Sequence, residues 1–275
     1  MGTRHAWRVD VSNGLVDQNQ ASDPTLARTD AAGWRAYLRQ LSRGGRSRLA
    51  ALGITLVLGY LLGLGALLFF SYVAFEVRGR QTQALDESVL AFLRGFQSPA
   101  LDTLASAISV LGSEAVAGFL VLLLLVLGWR RQWGAAVALV LVVVGAQELN
   151  NVLKDFFQRA RPAPVAGAFA AQAFSFPSGH AMVAASFYTF IGYLGWRELT
   201  HQPVMKRVWV GLMTLVVLLI GLSRLYLGVH YFTDVLAGYA AGLIWTDAVI
   251  LGSRMVTSRR LARATREHPA AMLSG

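Results

Sequence analysis

The chain has 275 residues, of which 55% are hydrophobic and 15% are charged, with a mean hydropathy of +0.49 and a formal net charge of +10. This composition excludes a soluble globular domain, a disordered chain and a disulfide scaffold. The absence of cysteine also excludes thiol catalysis and cysteine-ligated metals. The positive charge indicates an anionic partner, which could be a nucleic acid, a membrane surface or a substrate, depending on where the basic residues lie.

The first predicted element is a polar amino-terminal segment, residues 1–48. It has no apolar stretch of signal-peptide length, so we expect an uncleaved cytoplasmic tail. From about residue 30, apolar residues beginning with Trp34 and Tyr37 recur at helical spacing among arginines. This pattern favours a helix in the membrane interface over the alternative, a solvated basic linker.

Six apolar segments follow and predict an all-α bundle of six transmembrane helices. They comprise residues 49–75, 115–129, 133–153, 178–196, 208–223 and 234–253. Two of them are shorter than the ~17 residues that a span requires, so flanking polar residues must extend them. The intervening residues 78–113 are amphipathic and predict short interfacial helices on the outer face. Residues 49–253 are thus the predicted transmembrane domain, followed by a basic cytoplasmic tail at 254–275.

The distribution of basic residues predicts the orientation of this bundle. If the amino terminus is inside, 18 of the 25 Lys and Arg residues fall on the inner side. This bias follows the positive-inside rule and predicts a multi-pass protein with both termini in the cytoplasm. The excess of Arg over Lys, 23 to 2, favours a GC-rich bacterial source and therefore the bacterial inner membrane. Most of the positive charge is then explained by the orientation of the protein in the membrane. No folded basic module is left to support a nucleic-acid partner, and the sequence does not predict an oligomeric state.

Basic residues that topology does not explain converge on the outer face in three blocks, residues 154–162, 177–180 and 223–234. Taken singly, each block has an ordinary explanation as interfacial anchors, a turn or a surface pair. Together they place three cations on one rim, Lys154, Arg161 and Arg224. Fixed cations of this kind bind a phosphomonoester dianion, and the two guanidinium groups suit bidentate contacts.

Ser178 and Gly179 add to this predicted anion site. They stand where the fourth span begins, and unpaired backbone N–H groups at a helix amino terminus favour an anion. Glycine also allows the backbone to approach a ligand closely.

Two histidines on the same rim predict the chemistry. His230 and Asp234 are four residues apart, so on a helix they share one face. A carboxylate that holds one imidazole nitrogen as N–H leaves the other free to attack phosphorus. His180 can then protonate the leaving alkoxide. The sequence has no H-x-H, no H-E-x-x-H and no aspartate cluster, so we expect no metal and no cofactor.

The three blocks read K-x6-R-P, P-S-G-H and S-R-x5-H-x3-D, and they resemble the signature of the type 2 phosphatidic acid phosphatase family. Every signature position is present in order. The resemblance implies a membrane lipid phosphate phosphatase, related to acid phosphatases and vanadium haloperoxidases, with a phosphohistidine intermediate on His230. It also implies that Asp234 orients His230 and that His180 acts first as general acid and then as general base. Lys154, Arg161, Ser178, Gly179 and Arg224 would bind the phosphate.

The resemblance leaves the substrate and the outcome of the reaction open. Phosphatidic acid, phosphatidylglycerol phosphate, isoprenyl phosphates and lipid A are the lipid phosphates that it implies. A lipid phosphotransferase using the same intermediate is one alternative function. A non-catalytic membrane protein that binds lipid phosphate is another.

Four further expectations concern neighbouring residues. Arg159 either contacts a second phosphate or faces solvent. Residues 163–176, with three phenylalanines, either cap the site or contact acyl chains, or they form a plain connecting loop. Glu148 pairs with a nearby cation, and Arg254 pairs with Asp247.

Overall fold

The structure is a computed structural model that describes residue 53 and residues 57–162 and 174–267, with side chains described as far as residue 258. The chain divides into two units, Met1–Thr55 and Leu56–Gly275, and all helices discussed below belong to the second. The predicted tail and interfacial helix of residues 1–48 lie outside the described residues, as do Phe169 and residues 268–275.

Eight α-helices form the described part of the second unit, and these residues include no strand. The helices are α1 Val57–Arg78, α2 Gln83–Arg94, α3 Pro99–Val110, α4 Glu114–Trp129, α5 Trp133–Phe157, α6 Gly179–Glu198, α7 Pro203–Tyr226 and α8 Phe232–Glu267. The predicted all-α class is confirmed. The amphipathic residues 78–113 form the two 12-residue helices α2 and α3.

Five helical segments are long and apolar enough to cross a membrane. They are Val57–Arg78, Pro99–Trp129, Trp133–Phe157, Pro203–Tyr226 and Phe232–Ser258. One of the two short predicted spans is extended as expected, by polar residues at both ends of α7. The other gains only Glu114 within α4 and reaches spanning length together with α3, which the sequence predicted as an interfacial helix. The remaining predicted span corresponds to α6, which is 20 residues long but less apolar. Six spans therefore stay a prediction, with five of them meeting both criteria.

Helix α6 lies at the centre of the bundle and packs against α5, α7 and α8. Half of its 20 residues are buried, and among them Ser186 and Tyr188 contact protein rather than lipid. Small residues bring α8 close to α6. A Cβ atom placed on Gly238 would lie 2.6 Å from the carbonyl oxygen of Ser178, and one on Gly242 would lie 2.5 Å from that of Met182. Glycines at a spacing of four therefore pack helices within the bundle.

We expect Gly242→Leu to destabilise the protein, because a side chain cannot fit between α8 and the backbone of α6. The expected loss is about 1–3 kcal/mol, typical of an overpacked core, and it would appear as a lower Tm in detergent. Gly252→Leu is the matched control, since no atom lies within 4 Å of a Cβ atom at that position of α8. Equal Tm values for the two variants would contradict the close approach of α6 and α8.

Phe176 lies in the core and does not contact the cavity described below. It is fully buried in a cluster with Val73, Ala74, Val77 and Ala237, and its ring centroid lies 4.8 Å from that of Phe157. The suggestion that Phe176 contacts acyl chains is therefore wrong. Its size and apolarity are used to pack the end of α5 against α1 and α8.

The helix ends determine where the polar blocks lie. Helix α5 stops after Phe157 because Gln158 adopts the left-handed conformation, with φ 48°. The chain then runs through Arg159 and Arg161 in an irregular segment. Helix α8 begins only at Phe232, so His230 lies in the connection that precedes it.

Candidate active site

Residues from all three blocks surround one cavity of about 650 Å³. It lies where the last turns of α5 and α7 meet the first turn of α6 and the connection before α8. Six of the eight predicted site residues line it, namely Lys154, Arg161, Gly179, His180, Arg224 and His230. The other two, Ser178 and Asp234, are fully buried. The fold therefore brings together residues that are up to 80 positions apart in the sequence.

The two ring nitrogens of His230 have different surroundings. Nδ1 lies 2.9 Å from the backbone carbonyl oxygen of Ser175 and 3.6 Å from Oδ2 of Asp234. Because a carbonyl oxygen only accepts hydrogen bonds, Nδ1 carries the hydrogen and Nε2 carries the lone pair. Nε2 lies 3.4 Å from Nη1 of Arg161. The arrangement leaves a nucleophilic nitrogen beside a cation of the cavity.

This geometry corrects one step of the sequence reasoning. His230 and Asp234 do not share a helix face, because His230 precedes α8 and Asp234 lies in its first turn. The nearer acceptor for Nδ1 is the Ser175 carbonyl, and the Asp234 carboxylate is the second. A backbone acceptor has no side-chain signature, so the sequence could not reveal it.

His230 is expected to remain neutral in weak acid. Burial lowers its pKa to about 4, although the Asp234 carboxylate opposes this shift. An ordinary histidine, with a pKa near 6.5, is mostly protonated at about pH 5.5, whereas His230 would still hold its lone pair and lose it only as the pH falls through about 4. A ¹⁵N NMR titration of histidine-labelled protein, assigned with His230→Ala, measures this midpoint. A midpoint near 6.5 would contradict the burial of the ring.

Asp234 is held by several donors. Its Oδ1 accepts a 2.6 Å bond from Nη1 of Arg159, and its Oδ2 accepts from the backbone N–H of Tyr231 at 2.9 Å. Its backbone carbonyl accepts from the N–H of Ser178 at 2.9 Å. Asp234 therefore ties the start of α8 to the start of α6 while its carboxylate stays beside His230.

Arg159 neither lines the cavity nor faces solvent, so both expectations for it are wrong. Its side chain is only 11% exposed, and Nη2 lies 2.6 Å from Oδ2 of Asp86 in α2. With the bond to Asp234, it bridges two fully buried carboxylates. Its guanidinium also stacks 4.2 Å from the ring centroid of Tyr231.

The three predicted phosphate-binding cations enter the cavity from different elements. Arg161 donates from Nη1 to the carbonyl oxygen of Val229 at 2.9 Å. Burial lowers the pKa of Arg161, and Asp234 acts in the opposite direction. Arg224, in the last turn of α7, donates from Nη1 to Oγ of Ser109. Its buried Nε has no partner among the described residues. Lys154, in the last turn of α5, completes the set.

The amino terminus of α6 forms another wall. Helix α6 begins at Gly179 with Ser178 as its N-cap, as predicted. The hydroxyl of Ser178 is buried without a partner among the described residues, and so is Oδ1 of Asn150. A Cβ atom on Gly179 would lie 2.9 Å from that Oδ1, so a larger residue at this position would collide with Asn150 of α5. Buried polar atoms without a partner, at the wall of a cavity, are available to form hydrogen bonds with a ligand.

Neither predicted ion pair forms among the described residues. Glu148 is exposed and lines the cavity without a salt bridge to Lys154. Arg254 instead donates from Nε to the hydroxyl of Tyr193 at 3.3 Å, and it does not reach Asp247. Within the described residues, His, Asp and Glu side chains form no group of three that could hold a metal ion.

Comparison with known proteins assigns the family. The sequence model of the PAP2 superfamily matches residues 133–257. Phosphatidylglycerophosphatase B of Bacillus subtilis (strain 168) is 34% identical over 185 residues, which cover 64% of this chain and 87% of that protein. The chain belongs to the PAP2 superfamily.

Two further similarities place this PAP2 protein among membrane proteins. The crystal structure of a transmembrane PAP2 type phosphatidylglycerolphosphate phosphatase from Bacillus subtilis matches with a TM-score of 0.62 and 30% identity, covering 70% of this chain and 96% of that one. A lipid A 4'-phosphatase of Porphyromonas gingivalis is 27% identical over 143 residues, or 49% of this chain and 57% of that protein. With its five long apolar helices, this PAP2 protein is an integral membrane protein.

Sequence reasoning missed four residues that support the site. They are Asp86, Ser109, Asn150 and Ser175. Asn150 had a usable signal, because it precedes Lys154 by one helical turn and therefore lies on the same face of α5. The other three contact the site of this PAP2 protein from elements or backbone groups that no local pattern indicates.

Proposed function

We propose that this PAP2 protein is a lipid phosphate phosphatase that acts without a metal ion, through a phosphohistidine intermediate on His230. The observation that carries the proposal is the unprotonated Nε2 of a buried, neutral histidine at a cavity lined by three cations. Binding a phosphate would need the cations alone. An oriented lone pair adds a nucleophile that can attack phosphorus.

The cations Lys154, Arg161 and Arg224 would neutralise the oxygens of the phosphoryl group during transfer. The N–H groups at the start of α6, with the unpaired hydroxyl of Ser178, would bind a further oxygen. Gly179 would let that backbone approach the phosphate. Together these donors replace the charge that a metal ion would otherwise supply.

The reaction would take place in two displacements. In the first, the Nε2 lone pair of His230 forms a bond to phosphorus, the bond from phosphorus to the lipid oxygen breaks, and His180 gives its proton to that oxygen. In the second, His180 takes a proton from water, the water oxygen bonds to phosphorus, and the P–N bond breaks. Inorganic phosphate and a dephosphorylated lipid are the products. Asp234 and the Ser175 carbonyl hold the Nδ1 hydrogen throughout.

A lipid substrate suits the rest of the cavity. Beyond the polar residues, its wall continues along α4 and α5 through Val116, Ala117, Leu120, Val143 and Val144. Acyl or isoprenyl chains would lie against this apolar wall while the headgroup stays among the cations. Because a relative is named phosphatidylglycerophosphatase B, phosphatidylglycerol phosphate is the first substrate to test, before phosphatidic acid, isoprenyl diphosphate and lipid A.

We also propose the orientation that the basic residues predict, with both termini in the cytoplasm of a bacterial inner membrane and the cavity on the outer side. The segments predicted to lie on the inner side, including both terminal tails, carry 18 of the 25 Lys and Arg residues. The substrate phosphate would then be presented from the outer leaflet.

The decisive assay follows phosphate release from the four lipid phosphates by purified protein in detergent, with EDTA present. Hydrolysis supports the proposal. Transfer of ³²P from one lipid to another, with little free phosphate, would favour the phosphotransferase instead. Binding of a lipid phosphate without either reaction would leave only a non-catalytic role.

A further inference from the structure

Asp86 is a buried carboxylate that lies far from the site in sequence. It belongs to α2, outside the residues that match the superfamily, and its exposure is 0%. A buried carboxylate is costly unless charged or polar donors satisfy it. Asp86 accepts from the N–H of Thr233 at 2.9 Å and from its hydroxyl at 2.7 Å, as well as from Arg159 at 2.6 Å. All three donors lie in segments that form the candidate active site.

Arg159 connects Asp86 to Asp234, the carboxylate beside His230. Its two terminal nitrogens each bind a different aspartate at 2.6 Å, Asp86 through Nη2 and Asp234 through Nη1. The same Nη1 donates to Oγ1 of Thr233 at 2.8 Å. A planar guanidinium holds such a fork in one geometry, whereas a lysine ammonium is a single point charge. The side chain of Arg159 therefore fixes Asp234 relative to α2.

The backbone of Arg159 also supports the nearer acceptor of Nδ1, the carbonyl of Ser175. Its carbonyl oxygen accepts from the N–H of Ser175 at 2.8 Å, and the carbonyl of Ser175 faces Nδ1 of His230 at 2.9 Å. Both groups that surround Nδ1 are thus held by Arg159, one through its side chain and the other through its main chain.

We propose that Asp86 and Arg159 form a positioning pair that fixes the tautomer and orientation of the His230 ring, for the phosphoryl transfer proposed above, on which this inference rests. Neither residue lines the cavity, so the pair acts through Asp234 and Ser175 and not on the substrate. The catalytic unit then extends beyond residues 133–257 to include α2.

Kinetics of two variants test the pair. Asp86→Asn removes one charge of the bridge, and Arg159→Lys removes the fork while keeping a cation. With enzyme in excess over ³²P-labelled substrate, we expect the rate constant for phosphorylation of His230 to fall about 10- to 100-fold. Losses of this size are usual when a residue that orients a functional group, without touching the substrate, is replaced. The KM should stay unchanged, because Lys154, Arg161 and Arg224 are intact.

Glu87→Gln is the matched control, since this neighbouring carboxylate of α2 is exposed and accepts only from Gln83 among the described residues. The single-turnover rate constant reports only on folded enzyme. A lower amplitude with an unchanged rate constant would therefore mean that the pair serves folding alone, which overturns the proposal. A rate constant within twofold of the control, or a rise in KM that accounts for the loss, would also overturn it.

A second readout needs no substrate. In ¹⁵N spectra of histidine-labelled protein, the wild type should show His230 as the single tautomer with hydrogen on Nδ1. Asp86→Asn and Arg159→Lys should shift this signal or add the second tautomer, and Glu87→Gln should not. Unchanged spectra would overturn the pair even if the wild type hydrolyses lipid phosphates. An inactive wild type with the expected spectral changes would reject the proposed function and retain the pair.

Discussion

Replacing His230 with alanine is expected to reduce phosphate release to the background rate and to abolish phosphate labelling of the protein. Nε2 of His230 is an unprotonated nitrogen at the cation-lined cavity, beside Arg161. Without it, no covalent intermediate can form. Loss of a nucleophile in other covalent enzymes lowers kcat by about 10⁶-fold. Acid-labile, base-stable ³²P bound to wild-type protein, absent from the variant, measures the effect directly.

The control for this variant is His201→Ala, which removes an exposed histidine in the turn between α6 and α7. It should retain wild-type labelling and turnover. Because the cations remain in place, His230→Ala should still bind inorganic phosphate. Labelled phosphate on the His230→Ala protein would show that another group is the nucleophile.

Replacing His180 with alanine is expected to have the second largest effect, and the effect should depend on the leaving group. A lipid alkoxide needs a proton as it departs, so we expect a loss of about 10²- to 10⁴-fold in kcat, the usual contribution of a general acid. An aryl phosphate with an acidic phenol needs no such proton. Its phosphorylation rate should therefore change much less, which the burst of released phenol measures.

Breakdown of the intermediate provides a second comparison for the same variant. His180 would also activate the attacking water, so phosphoenzyme should accumulate in His180→Ala during aryl phosphate turnover. His201→Ala again serves as the control. Equal losses for lipid and aryl substrates, without accumulation, would mean that His180 contributes to phosphate binding and not to proton transfer.

The helical bundle and the cluster of motif residues were predictable because both depend on patterns that the sequence displays directly. The apolar runs are too long for the core of a soluble protein, so they indicate membrane spans. Residues at the ends of predicted spans on one membrane face are expected to lie close together. The start of α6 at Gly179 was likewise predictable, because a serine followed by glycine suits the first turn of a helix. The close approach at Gly238 and Gly242 was visible as glycine spacing.

The role of Arg159 was not predictable, because it depends on a residue 73 positions earlier. Arg159 and Arg161 are two residues apart and chemically identical, yet one is enclosed by carboxylates and the other lines the cavity. The two arginines have different surroundings because α2 places Asp86 beside Arg159. The Ser175 carbonyl was hidden for another reason, since every residue has one. Phe176 was misjudged because apolarity alone does not distinguish a core residue from one that contacts lipid.

The hydrogen bonds of Ser175 affect how the length of the chain can vary between related proteins. Its N–H bonds to the carbonyl of Arg159 at 2.8 Å, and its hydroxyl donates to that of Ala160 at 3.0 Å. These bonds hold the segment that contains Arg159 and Ala160 against Ser175 at the base of the site. Lengthening an insertion between fixed ends costs little free energy, because closure entropy grows only slowly with length. A change in the length of the chain between these two segments is therefore expected to leave the phosphoryl-transfer residues in place.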